Sequence, residues 1–330
     1  MDTLTHGLLG AALAALPLPQ RLERDGAVSA RASLLVSVLA AELPDLDYLL
    51  PAEDAVLHTL SAHRGYSHCL LAAPLVALVA ALLTRGVFRG AALVPLYARA
   101  LLAVPLAHLL PDLWTGWGTR LLLPFSERRL ALDWTMVIDP VFTAPLALAA
   151  AWAVLRRRSW RRAFAIGAGV ATLYLMFRVA SVTQLTREVA RAYPAATSVH
   201  VFPAMLGVTR WRYVARLGPQ YAVGSVTVGG APRELARHRA WPNGPLDAEL
   251  AGARTVSEVL LWARFPVVSH AALDAGATRI SIADLRYHLD GAPTLTFVID
   301  VDGRGKVRAA RLDRGGSAAQ LLERLRKARS

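Results

Sequence analysis

Residues 41–70 read AELPDLDYLLPAEDAVLHTLSAHRGYSHCL. Asp45 and Asp47 stand two apart directly after Pro44, and His63 and His68 stand five apart around Arg64 and Gly65. Apolar runs of helical length flank the stretch on both sides. Carboxylate oxygens and imidazole nitrogens gathered at the ends of apolar helices point to a divalent-metal site. Two more pieces of chain belong with it: Thr5-His6, and the run 108–112, HLLPD, which carries His108 and Asp112.

Working outward, apolar runs cover 4–18, 32–43, 66–84, 91–110, 140–155 and 163–180. The hydrophobic share of the 330 residues is 55%, against roughly 45–50% in an ordinary soluble domain. The excess sits in the first 180 residues, as in membrane helices. The N-terminus MDTLTHGLLG has no positive leader region and reads as retained structure. After Ser181 the pattern changes. A β-hairpin is expected over 209–228, a helix over 255–264, strands over 279–289, 294–301 and 306–312, and an amphipathic helix over 317–328. The expected fold is mainly α: a polytopic membrane helix bundle with a small C-terminal α+β extramembrane domain. Its divisions are a membrane-embedded metal-site domain over 1–181, a linker over 182–208 and the extramembrane domain over 209–330.

Formal net charge is +13. Segments 20–31, 85–89 and 156–162 carry ten arginines, while the opposite connections carry four: Arg64, Arg120, Arg128 and Arg129. The positive-inside rule puts the first set in the cytoplasm. The run RRRSWRR at 156–162 is then a membrane-facing anchor rather than a nucleic-acid patch, since no groove-reading motif accompanies it. On this topology His6, Asp45, Asp47, His63, His68, His108 and Asp112 are all expected on the outer side of the membrane, and so is the C-terminal domain. Arg99, inside an apolar run, must snorkel or pair within the bundle. Cys69 is the single cysteine, which excludes an intrachain disulfide.

His108 and Asp112 are four apart, one helical turn, so both point the same way. Asp45 and Asp47 repel each other unless a cation intervenes. The candidate ligands are therefore His6, Asp45, Asp47, His63, His68, His108 and Asp112. Seven exceed the four or so that one zinc ion takes and suit two ions sharing a carboxylate. Arg64 suits an anionic substrate group, and Asp133 joins it in the catalytic set. Asp139 is read as a supporting residue or a helix cap, and His58 as a lesser ligand candidate. Glu53 and Asp54 are read as solvated loop. Trp114, Trp117 and Trp134 are read as an interfacial belt. The expected reaction is attack by metal-activated water on a phosphoryl or acyl centre. The bilayer is the expected partner and a lipid or membrane-associated phosphoester the expected substrate. The alternative is a non-enzymatic membrane metal-binding or transport protein.

Taken together, Thr5-His6, PDLD at 44–47, HRGYSH at 63–68 and HLLPDLWTGWGTRLLLPFSERR at 108–129 followed by ALDW resemble the YdjM-type family of membrane-bound, metal-dependent hydrolases, some under LexA control. The likeness covers roughly residues 1–180. Ser67 and Cys69 stand where the family's HRG-x-T-HS has Thr and Ser, and Gly116 where its D-x-x-T-S-x-G-T has Ser. A more distant similarity to zinc-dependent phospholipase C implies zinc and phosphoester hydrolysis. The family's metal-binding His and Asp fall on the seven residues named above.

Overall fold

Asp2 caps the first helix, α1 (Thr3–Ala15), by accepting from the Thr5 amide at 3.0 Å. A second helix, α2 (Ala30–Glu42), lies so close to α1 that a Cβ at Gly10 would fall 2.6 Å from the Ser37 carbonyl oxygen. Next come α3 (Ala73–Val87) and α4 (Leu93–Ala103). The latter runs on through a wide π turn, Val104–Leu109, into a last α-helical turn, Leu110–Trp114. Then follow α5 (Pro140–Leu155) and α6 (Trp160–Ala192). The structure, a computed structural model, describes residues 1–17, 28–51, 54–156, 159–204, 207–241 and 253–313.

Two compact units result. One comprises Met1–Leu49 and His63–Ala180, the other Leu50–Ala62 and Ser181–Ser330. The interior of the first unit is made of small residues. Ala32, Ala40, Ala77, Ala80, Ala100 and Ala103 are buried, while Leu75, Leu82, Leu148 and Leu173 face outward. Alanine inside and leucine outside reverses the pattern of a soluble protein and matches helices that pack closely in an apolar medium. The buried Arg99 pairs within the bundle. It donates to the carbonyls of Leu13, Ala14 and Leu16, where the C-terminal end of α1 concentrates negative potential.

Among the described residues, Leu93–Trp114 and Trp160–Ala192 are long and apolar enough to cross a membrane. The other apolar helices are shorter: α1, α3 and α5 have 13, 15 and 16 residues. Length therefore supports two spans where the sequence pattern suggested six. The reading of 182–208 as a linker is corrected. Residues up to Ala192 continue α6, and 198–203 form the first strand. The polar loop expected over 45–65 is also corrected. Leu43–Leu49 is a 3-10 helix, and Ala55–Leu57 and His58–Ala62 are short helical turns. Asp54 is not a solvated loop residue. It caps Ala55–Leu57 and accepts from Thr255 at 2.6 Å.

The second unit holds two four-stranded antiparallel sheets. One runs β1 (Ser198–Pro203), β2 (Arg210–Leu217), β3 (Gln220–Thr227), β4 (Arg233–Arg239) in spatial order. After α7 (Arg254–Trp262) come β5 (Pro266–Ala272), β6 (Thr278–Asp284), the two-residue strands β7 (His288–Leu289) and β8 (Ala292–Pro293), β9 (Thr296–Val301) and β10 (Val307–Asp313). The second sheet is ordered β10-β9-β6-β5, and β7 pairs with β8. Gly218 at φ 57° makes the turn of the expected hairpin. The helix expected over 317–328 lies outside the described residues, as do Arg21, Arg24, Glu53, Arg157 and Arg158.

Candidate metal centre

Proline chemistry shapes the site. Pro111 has no N–H to give the carbonyl of Ala107 four residues back, and that carbonyl accepts from His6 Nδ1 at 2.8 Å. The π turn just before it carries His108, in a register of the kind that recurs at functional sites. At the C-terminal end of α2, where carbonyls lack helical partners, the oxygen of Ala41 accepts from His108 Nδ1 at 2.5 Å. Ser67 Oγ donates to Asp47 Oδ2 at 2.6 Å. Its one proton is then spent, so it accepts from His68 Nδ1 at 2.8 Å.

These partners assign the protons, which are inferred rather than observed. His6, His68 and His108 all carry hydrogen on Nδ1 and keep a lone pair on Nε2. The three lone pairs converge. His68 Nε2 and His108 Nε2 lie 2.9 Å apart, with Asp45 Oδ1 3.2 Å from the first and 3.6 Å from the second. His6 Nε2 is 3.3 Å from Asp112 Oδ1, and Asp112 Oδ2 is 3.4 Å from His68 Nε2. His6 Nε2 and Asp112 Oδ2 are buried without any hydrogen-bond partner. Acceptors thus face acceptors, an arrangement that a metal ion or a shared proton reconciles.

All seven expected ligands fall into groups whose donor atoms could hold an ion: His6, His108 and Asp112; Asp45, His68 and His108; Asp47, His63 and His68. Three carboxylates, those of Asp45, Asp47 and Asp112, face the Arg64 guanidinium and the Met1 amino group. Asp47 has a further task. It accepts from His63 Nδ1 at 2.9 Å, from the Arg64 amide at 3.3 Å and from Ser67, so it orients the histidine loop. Burial works to raise the Asp47 carboxyl, but the bonds from His63, His68 and Ser67 outweigh it and hold it below the ordinary carboxylate range. Burial works to lower His68, but the carboxylates of Asp45 and Asp47 outweigh it and raise its pKa.

Arg64 is buried and sits at φ 58°, a region that non-glycine residues seldom enter. It is held from several sides. Its carbonyl accepts from the Arg120 amide at 3.2 Å, and its guanidinium reaches Asp112 Oδ1 at 2.8 Å and Thr115 Oγ1 at 3.0 Å. Over-determination of this kind is what lets a strained residue persist. The Met1 amino group also contacts Asp112 Oδ1. Asp133, likewise at φ 57°, is not part of any of the three groups; its Oδ1 lies beside Gly116. Asp139 caps α5 and takes the Tyr174 hydroxyl at 3.1 Å. His58 falls in the other unit. Trp114, Trp117 and Trp134 are half-buried; Trp114 meets Phe142 edge-on, and the Trp134 backbone carbonyl accepts from Arg178. Ser67, Ala41 and Ala107 were not singled out in the sequence. Two of them act through backbone carbonyls, which leave no mark on residue type.

Apolar helices with outward leucines and a buried cluster of imidazoles and carboxylates define a membrane protein with a potential metal centre. The chain belongs to the YdjM inner membrane protein family, whose profile matches residues 1–185. It is also similar to the uncharacterized protein YfhP of Bacillus subtilis (strain 168), with 28% identity over 153 residues. That likeness covers 46% of this chain and 46% of the relative, so the chain spans about half the length of the curated relative it matches. No solved structure matches the chain.

Proposed function

We propose that the protein is a membrane-bound, metal-dependent hydrolase that cleaves a phosphoester of a lipid or membrane-associated substrate. One observation carries this reading: the Nε2 atoms of His6, His68 and His108 converge on the carboxylates of Asp45 and Asp112, and His6 Nε2 and Asp112 Oδ2 are buried there without a hydrogen-bond partner. His6, His68, His108, Asp45 and Asp112 would hold the metal, with Asp47 and His63 completing a second position. Mixed imidazole and carboxylate donors suit zinc, and the shared residues suit two ions. When bound, the metal supplies Lewis acidity, which activates water and polarises a phosphoryl oxygen. Arg64 neutralises Asp112. Its buried Nε–H has no acceptor among the described residues, and it is the donor offered to an anionic oxygen. A non-enzymatic metal carrier would leave that donor without a role. The excess of arginine on the other connections supports an outer-side site in a multi-pass chain. Asp133 is assigned a supporting role, through the loop that holds Thr115.

Metal content of the purified full-length protein, and hydrolysis of bis(p-nitrophenyl) phosphate and phospholipid vesicles with and without chelator, test the reading. His68→Ala and Asp112→Ala should lose both metal and activity, the latter by at least about a thousandfold. Stoichiometric metal with no hydrolysis would shift the assignment to the carrier, and metal-free protein would end both.

A further inference from the structure

The loops that carry the ligands expose large apolar side chains that a water-facing mouth would not retain. Leu46 stands between Asp45 and Asp47, and Tyr48 stacks on His63 with ring centroids 3.9 Å apart while half its surface stays open. Leu49 is 80% exposed, and Tyr66, inside the histidine motif, is 70% exposed. The loop 121–125 is tied to the same histidine segment by the bond from the Arg120 amide to the Arg64 carbonyl and by the bond from the Leu70 amide to the Leu121 carbonyl. Leu122 is exposed there, and Phe125 is 87% exposed.

We propose that Leu46, Tyr48, Leu49, Tyr66, Leu122 and Phe125 form a rim immersed in the acyl region of the bilayer, through which an anionic lipid headgroup enters the metal centre from the lipid side. Two observations choose lipid as the occupant. The rim is continuous with the outward leucine face of α3, through the exposed Leu70 and Leu71 to Leu75, Leu78 and Leu82. In addition, Phe125 is followed within four residues by the exposed Glu127 and Arg128 and by Arg129, so an edge with two arginines against one carboxylate stands just beyond the apolar one. Apolar tips next to arginine are the pairing that seats a loop at an anionic interface. Delivery of the headgroup rests on the proposed hydrolase; immersion of the rim does not.

The single, buried Cys69 allows a direct test. Full-length Cys69→Ser/Phe125→Cys protein, nitroxide-labelled in vesicles of phosphatidylcholine and phosphatidylglycerol, reports depth by collision with oxygen and with a water-soluble nickel chelate. The proposal expects high oxygen and low nickel accessibility, comparable with a label at Leu148 on the outer face of α5. A label at 125 as open to the nickel chelate as free nitroxide in water overturns it. In a second arm, Phe125→Glu should slow cleavage of vesicle lipid by about tenfold or more, leaving metal content and turnover of the soluble phosphodiester unchanged. Equal loss on both substrates overturns lipid-side entry. If the wild type cleaves neither substrate while the label lies in lipid, the rim stands and the hydrolase reading falls.

Discussion

Asp284 in the sheet unit and Asp112 in the helical unit are both fully buried carboxylates, and they meet opposite surroundings. Around Asp284 every neighbour donates. The amides of Arg286 and Arg264 bond to its two oxygens at 2.8 and 2.7 Å, and the Arg286 guanidinium reaches it at 2.8 and 2.9 Å. The same guanidinium donates to the Trp262 carbonyl and lies over the Trp262 ring, 4.3 Å from its centroid. Asp112 has Arg64 on one oxygen, while its other oxygen faces imidazole nitrogens whose protons point elsewhere. A structural ion pair is complete as folded. The cluster around Asp112 keeps buried acceptors without partners and could hold a cation, and that distinction, rather than burial of charge as such, separates scaffold from candidate centre.

The largest effect that can break this comparison is expected in the sheet unit. Asp284→Ala leaves the buried Arg286 charge uncompensated and should cost about 3–5 kcal/mol, read as faster amide exchange in β6 and β9. His68→Leu in chelator-treated protein, measured above the His68 pKa, should cost far less, because the neutral ring there is one of the conflicting acceptors. Equal losses would show that the centre is an ordinary structural network. Next in size is Ser67→Ala. It frees the His68 ring to turn, and metal affinity should fall about 10–100-fold in a competition titration, with recovery in Ser67→Thr. An unchanged affinity would remove Ser67 from the positioning role.

The smallest effect is a pair of opposed pH slopes. Burial, helped by the nearby Arg212 charge, holds His288 of β7 down to about 3, against an ordinary 6.5. The unfolded chain then binds the proton more readily. Stability from this group is full above pH 6.5 and is lost as pH falls toward 3, by about 1.4 kcal/mol per pH unit. His68 is shifted the other way, so in metal-free protein its contribution is full below 6.5 and disappears as pH rises through its raised pKa. Denaturant titrations across pH should show His288→Leu flattening the acid limb and His68→Leu the alkaline one. The same slope in both variants would erase the contrast.

The parts of the fold that could be read in advance are those with a strong local signal. Pro140–Leu155 matches the apolar run residue for residue. The β2–β3 hairpin follows from alternation around Gly218-Pro219. The strands that escaped, β1, β4 and β5, all lie at sheet edges. An edge strand is half solvated and carries charge, as RELARHR in β4 does, so it lacks the apolar alternation of a central strand. The segment 50–62 reads as part of the metal loop, yet it belongs to the other unit, through contacts such as Thr255 to Asp54 that lie 201 residues apart in sequence.

Residue type and spacing alone determined which side chains to group together: four histidines and three aspartates, with Arg64 among them. Donor identity is a property of the side chain and survives any fold that gathers it. Tertiary structure alone decided which nitrogen of each imidazole keeps its lone pair, because that choice is made by the carbonyls of Ala41 and Ala107 and the hydroxyl of Ser67. Hydrogen bonds across 67 and 101 residues of chain fix the tautomers of His108 and His6, and that of His68 depends on its neighbour Ser67 donating to Asp47, 20 residues away.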